Sequence, residues 1–250
     1  MKSIALQDLN MAGVRWELAE EHIKNELKPI VPAQQSFNVV PNRLDTQPVI
    51  VPPSAPITLD TVKKMVDQAD NIDSLIQKIA EFNHPLRSDA TNVVLPNIAT
   101  NPNNLLIITD IPSTEDDLSG RILSGPAGEM LDKMLSAIKM SRKEVSIIPL
   151  IFWRTPGGRT PTREELDLVR PFTDKIINFL NPKIIVTLGT LTATEIAQAS
   201  LTVAHGSEIK TEKPYVIVPI YHPNYLILKP SAKRDVWNAL QNVQKFLKIQ

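Results

Sequence analysis

The sequence predicts a three-layer α/β fold: a central four-stranded, mostly parallel sheet between helices, plus N-terminal helices. Three observations carry this. Four apolar runs of strand length, rich in Ile and Val, lie beyond residue 103: "NLLIIT" (104–109), "VSIIPLIFW" (145–153), "KIIVTLG" (183–189) and "YVIVPIY" (215–221). Helical patterns separate them at 127–138, 162–180 and 191–199, and a last one covers 232–247. Runs that are apolar on both faces and alternate with helices belong in a parallel sheet covered on each side. Seven of the eight glycines also fall at or after residue 120, mostly near the junctions of these elements.

Taken in order, "VRWELAEEHIKNEL" (14–27) is an amphipathic helix, with Val14, Leu18, Ile23 and Leu27 near one face. It defines an N-terminal helical segment, 1–28, suited to docking a protein partner. Residues 29–57 hold seven of the 21 prolines and no glycine, which suits an extended linker rather than helix or central strand. Two short helices follow at 58–69 and 72–82, with Thr58 and Asp73 as N-caps by residue type. The α/β domain is thus expected over 58–250, with its core over 104–250.

Composition sets limits on function. The 250 residues are 42% hydrophobic and 22% charged, ordinary globular values. Lys+Arg and Asp+Glu both number 27, so a nucleic acid would be held by a local basic patch rather than by bulk charge. With no cysteine, disulfides, thiolate nucleophiles and cysteine-held zinc or iron–sulfur groups are excluded. The four histidines, His22, His84, His205 and His222, have no metal-type spacing, so neither metal nor cofactor is expected. The N-terminus lacks a continuous apolar core, and no window approaches the length of a membrane span. A soluble, cytoplasmic protein with no membrane partner is expected.

Parallel sheets bind ligands outside the carboxyl ends of their strands. Here those ends read "TDIPS", "WRTPGGR", "LGT" and "YHPNYL". In "TDIPSTEDDLSGR" the acids Asp110, Glu115, Asp116 and Asp117 suit acid/base work or a metal, or equally a helix start. Asp110 directly follows an apolar strand, where a carboxylate is costly to desolvate unless it is used. His222 follows another strand, with Pro223 fixing its backbone; it suits proton or hydrogen-bond chemistry, or a capped loop. Asn224, Tyr225 and Leu226 add a polar tip, an aromatic and an apolar wedge, suited to an opened base stack or to loop packing. Arg154 and Arg159 flank the turn at Pro156-Gly157-Gly158, where guanidinium forks suit phosphate oxygens or simply face solvent.

In order, "TDIPSTEDDLSGRILSGPAGEMLDKML", "EVSIIPLIFWRTPGGRTPT", "VRPF", "PKIIVTLG" and "YHPNYLI" resemble the family 4 type of uracil-DNA glycosylase. That family reads roughly GEAPG, ED, GRPFVGxAGxLL, ITNxxxCRPPGNRxPT, CxPF, PKxIVxLG and HPxYLL. The resemblance covers about residues 80 to 247. It implies a DNA substrate, with a uracil flipped into a pocket at the strand ends and water attacking the sugar carbon as the base leaves. By position, Asp110 falls on the motif-one glutamate, with Ile111 and Pro112 at the bottom of that loop. Leu123 falls on a phenylalanine that stacks on uracil. His222 falls on the histidine beside the uracil carbonyl. Arg154, Gly157, Gly158 and Arg159 match the loop near the DNA backbone, and Tyr225 and Leu226 the start of the segment entering the minor groove.

Several positions depart from that pattern. The asparagine that reads the base edge falls on Pro149, and motif-one glycines fall on Thr109 and Ser113, the latter still expected beside DNA. Trp153 and Val169 stand at two cluster-cysteine positions and His84 near a third, which implies a repacked, cluster-free scaffold. The implied function is a monofunctional DNA N-glycosylase acting on uracil or another damaged base. The rival readings are a glycosylase-like module that binds DNA without hydrolysis and a protein-interaction module.

Overall fold

A computed structural model describes residues 57–100, 102 and 104–247. The helix expected at 14–27 and the proline-rich segment after it lie outside the described residues, apart from Ile57. Five strands form one sheet: β1 (Leu105–Thr109), β2 (Ser146–Pro149), β3 (Ile184–Leu188), β4 (Ile209–Lys210) and β5 (Val216–Ile220). Their order is β2-β1-β3-β5-β4, with β1, β2, β3 and β5 mutually parallel and β4 antiparallel to β5. The helices are α1 (Leu59–Asp67), α2 (Ile72–Glu81), α3 (Thr114–Ser119), α4 (Gly125–Ala137), α5 (Arg163–Leu180), α6 (Thr190–Glu195), α7 (Leu201–Ala204), α8 (Pro223–Leu228) and α9 (Lys233–Leu247).

The expected three layers are present, and alternation along the strands builds them. Leu105, Ile107, Ile147, Ile184, Val186 and Val218 point into one core with α4 and α9. Leu106, Ile108, Ile148, Ile185 and Ile217 point into the other, with α1, α2 and α5. Successive strand side chains face opposite ways, so a strand buried on both faces must be apolar throughout.

The structure corrects the sequence reading in three details. The sheet has five strands, not four, because β4 is two residues of "GSEIKTEK" and leaves no apolar run. The run 145–153 pairs only as far as Pro149. Proline has no N–H to continue a ladder, and here it stands at the end of an edge strand. The next amide, Leu150 N–H, donates to Thr109 O at 2.8 Å as the chain turns away. Asn71, not Asp73, caps α2. Its side chain accepts from Ser74 N, and Ser74 Oγ lies 3.4 Å from Asn71 N in a reciprocal capping box. Thr58 caps α1 as expected.

Beyond β2 the chain enters an aromatic knot. The His84 and Trp153 rings stack in parallel at 4.8 Å, and Phe82 lies 6.0 Å from Trp153 and 5.3 Å from Phe172. Val169 is buried in the same core. His84 is itself satisfied: Nδ1 accepts from Leu86 N–H, so Nε2 donates to Glu165 O at 3.1 Å. Burial holds this ring below the usual histidine range. These residues offer no thiolate and fill their volume with rings, so they do not fit a cysteine-held iron–sulfur cluster. Trp153→Ala is expected to destabilise the fold by about 3–5 kcal/mol. In urea unfolding this appears as a lower midpoint at unchanged slope.

Candidate active site

The carboxyl ends of β1 and β5 carry the two residues of greatest chemical interest. Asp110 follows β1, and His222 lies two residues beyond β5. These strands are not neighbours, because β3 runs between them. Both side chains line two cavities: one of about 310 Å³ toward α6 and α7, the other of about 440 Å³ toward α3 and α4. Each is of the size that takes a small organic ligand.

Gly189, just beyond β3, leaves the room that the Asp110 side chain occupies. A Cβ built on it would collide with the Asp110 carboxylate, and its φ of 110° favours glycine in any case. Asp110 Oδ1 accepts from the backbone N–H of Thr192 in the first turn of α6, at 2.9 Å. Burial nonetheless outweighs that bond and raises the carboxyl pKa above the ordinary range. His222 is the mirror case for a base. Burial lowers its pKa to about 4, so the ring is neutral at neutral pH. Its Nδ1 accepts from Asn224 N–H at 3.2 Å, and its Nε2 lies 3.1 Å from Thr109 Oγ1.

The larger cavity is walled by the loop after β1 and the turn before α4. Ile111, Pro112 and Ser113 line it, as do Leu123 and Asn224. Ser113 also caps α3, its hydroxyl accepting from Asp116 N. The acidic run proves mainly structural. Asp116 Oδ2 accepts from Ser113 N, while its Oδ1 accepts from Ser124 N and Ser124 Oγ at 2.6 and 2.8 Å. Asp117 Oδ1 accepts from Thr91 N and Asn92 N. These two buried carboxylates tie the cavity walls together, and Asp116 also lines the larger cavity.

Leu123 lines the cavity with φ of 48°, a left-handed conformation that a leucine adopts only when its surroundings impose it. Arg142 does so. Its guanidinium donates to Ile122 O, Leu123 O and Gly128 O at 3.0, 2.7 and 3.2 Å, and its Nε to Asp132 at 2.6 Å. A Cβ on Gly128 would strike Leu123 O, so this glycine is needed for close backbone approach. The sequence reading missed Arg142. It lies in an unremarked loop, and its partners are backbone carbonyls that no residue type announces.

The remaining predicted residues divide. Arg154, Gly157 and Gly158 reach the larger cavity, where Arg154 Nη1 donates to Pro112 O at 3.0 Å. Tyr225 lines the smaller one and packs on Tyr221, ring centroids 4.8 Å apart. Three others line neither. Pro149 is buried at the end of β2. Arg159 turns to Glu165, pairing with both carboxylate oxygens at 2.8 and 2.5 Å. Leu226, expected as an exposed wedge, is only 1% exposed and packs in the core; Ile227 (41%) and Leu228 (84%) are the exposed apolar residues of α8 instead. On a six-residue helix only one face can be buried, and the family-like alignment alone does not say which.

Similarity to known proteins agrees with this geometry. A family model described as the uracil DNA glycosylase superfamily matches residues 97–241. The type-4 uracil-DNA glycosylase of Thermotoga maritima is 30% identical over 171 residues, which span 66% of this chain and 88% of that protein. The type-4 uracil-DNA glycosylase of Archaeoglobus fulgidus is 24% identical over 176 residues, with the same two coverages, 66% and 88%. That of Sulfurisphaera tokodaii is 29% identical over 151 residues, covering 56% of this chain and 69% of its own. The family match takes in more than half the chain, Asp110 and His222 included, and the chain belongs to the uracil-DNA glycosylase superfamily.

Proposed function

We propose that this protein is a monofunctional DNA N-glycosylase of the family 4 kind, hydrolysing the N-glycosidic bond of uracil or another damaged base flipped out of DNA. One observation carries the reading. An acid whose pKa burial raises and a histidine held neutral come from non-adjacent strands and line the same pair of cavities. Groups with pKa values displaced by burial in a cleft are the expected mark of a reaction centre.

In this reading the base occupies the larger cavity, against Leu123, Ile111 and Pro112. Asp110 orients a water at the sugar carbon. As the water oxygen bonds to that carbon it gives a proton to the Asp110 carboxylate, while the carbon–nitrogen bond breaks and its electron pair leaves with the base. A neutral His222 supports the developing anion by hydrogen bonding, a role suited to a ring that stays uncharged. Arg154 and the Gly157–Gly158 backbone serve the DNA strand, as do Ser113, Asn224 and Tyr225. Ile227 and Leu228 are the apolar side chains available to fill an opened stack. A binding role without hydrolysis has one observation in its favour: buried Pro149 offers a base edge no N–H and no polar side chain.

Single-turnover excision from an oligonucleotide carrying one uracil, followed by alkaline cleavage of the abasic site, tests this. His222→Ala is expected to lower the rate about 100-fold, the usual loss for one donor aimed at developing charge. Salt-sensitive gel shifts with no excision in excess protein would instead favour the binding role.

Acid acts on both groups. Asp110, its pKa raised, loses its charge at a higher pH than an exposed aspartate, and His222 gains a proton at about 4. The rate is therefore expected to fall on the acid side, beginning at a higher pH than the titration of an exposed aspartate would give. For stability, unfolded histidine binds its proton near 6.5 and folded His222 near 4, so the unfolded chain holds more protons in that window. His222 thus makes stability fall as pH drops from about 6.5 to about 4, by at most about 3 kcal/mol. Asp110 opposes this, because its folded form binds the extra proton. The slope of stability against pH in His222→Gln is expected to be shallower than in the wild type.

A further inference from the structure

Two histidines of this chain share one local device. In both His84-Pro85 and His222-Pro223 the ring accepts, through Nδ1, the backbone N–H two residues on, at 3.1 and 3.2 Å. An accepting Nδ1 carries no proton, so each neutral ring bears its proton on Nε2 and can only donate there. His84 gives that hydrogen to a backbone carbonyl in the core. His222 has the same chemistry at the reaction centre, and its Nε2 lies 3.1 Å from Thr109 Oγ1.

Thr109 is the buried last residue of β1 and lines neither cavity, whereas His222 lines both. The proton-bearing edge of the imidazole is therefore turned onto the strand end rather than into the space where a base would sit. A ring N–H makes one strong hydrogen bond, and geometry weakens steeply when it is shared. While the threonine oxygen holds it, a base carbonyl receives little.

We propose that Thr109 is a positioning residue that latches His222, engaging its Nε2–H until the ring releases it to a departing base. The functional consequence rests on the glycosylase reading of His222; the latch itself concerns only two side chains. It makes Thr109 a restraint on rate rather than a participant in the bond-breaking step. The tautomer, set independently by Asn224, is unaffected by it.

Thr109→Val separates the oxygen from the shape: it keeps a β-branched side chain on a buried strand and removes the acceptor. Thr109→Ser keeps the acceptor, and Thr109→Ala removes it without adding a methyl. With nitrogen-15-labelled histidine, wild type and Thr109→Ser are expected to show a protected Nε2–H on His222. In Thr109→Val and Thr109→Ala its exchange with water should be at least about tenfold faster, with the Nε2-protonated tautomer retained. Uracil excision at saturating DNA should then be several-fold faster in those two variants, with half-saturation little changed. Unaltered exchange in both acceptor-free variants overturns the latch, whatever their activity. Faster exchange with slower excision overturns the restraint, because the bond would then be assisting. Faster exchange with no excision by any variant upholds the latch and removes the glycosylase reading instead.

Discussion

The site depends on a missing side chain. Gly189 ends β3, the strand between those that carry Asp110 and His222, and only a backbone without Cβ leaves room above that end. Parallel strands flare apart at their carboxyl ends where successive connections leave in opposite directions. Here the chain goes from β1 outward to β2, then returns past β1 to β3 and β5. A gap opens where these directions part. Any residue larger than glycine at 189 would strike the Asp110 carboxylate and drive it off the Thr192 amide.

Around that gap, most of the charged residues in the neighbourhood are engaged in holding the walls. Asp116 and Asp117 accept two or three hydrogen bonds each from backbone and serine groups, which is how a buried carboxylate is tolerated. Arg142 holds three carbonyls around the strained Leu123, and Glu165 holds Arg159 while capping α5. Fixing these loops matters for a site whose chemistry is positional. Under the proposed function a water and a sugar carbon must be closely aligned, and mobile walls would lose that alignment.

The fold was largely legible in the sequence because parallel strands buried on both faces must be apolar at every position, which "KIIVTLG" and "NLLIIT" satisfy. β4 was not, since two residues leave no pattern. At the site, Asp110 and His222 stood out as polar residues directly following apolar runs, and Leu123 emerged by position in a family-like block. What stayed hidden depended on contacts between side chain and backbone. Arg142 serves carbonyls far along the chain, Arg159 was claimed by an acid six residues on, and Leu226 faces inward by the phase of a single short helix. Thr109 stood out only as a departure from a family glycine, but its hydroxyl proves to be a hydrogen-bond partner for the histidine.

The same substitutions bear on what such a pocket can select. Pro149 is buried and has no donor, and Pro112 O is already held by Arg154. The larger cavity thus has no group on β2 to read a Watson–Crick edge; its polar lining comes from the loops, Glu115 and Asn224 among them, and Leu123 offers apolar contact rather than ring stacking. Discrimination built on paired polar groups is large, because a wrong ligand leaves them unsatisfied; discrimination built on shape alone is about 1–3 kcal/mol. Under the proposed function, the loss of a polar group at Pro149 and of a ring at Leu123 shifts part of the selection from reading the base to the cost of extracting it. That cost is least for a mispaired, damaged or single-stranded base. A neutral histidine whose donor is withheld by Thr109 fits this arrangement, since a site that reads its base weakly gains specificity when its strongest hydrogen bond forms only at the moment of departure.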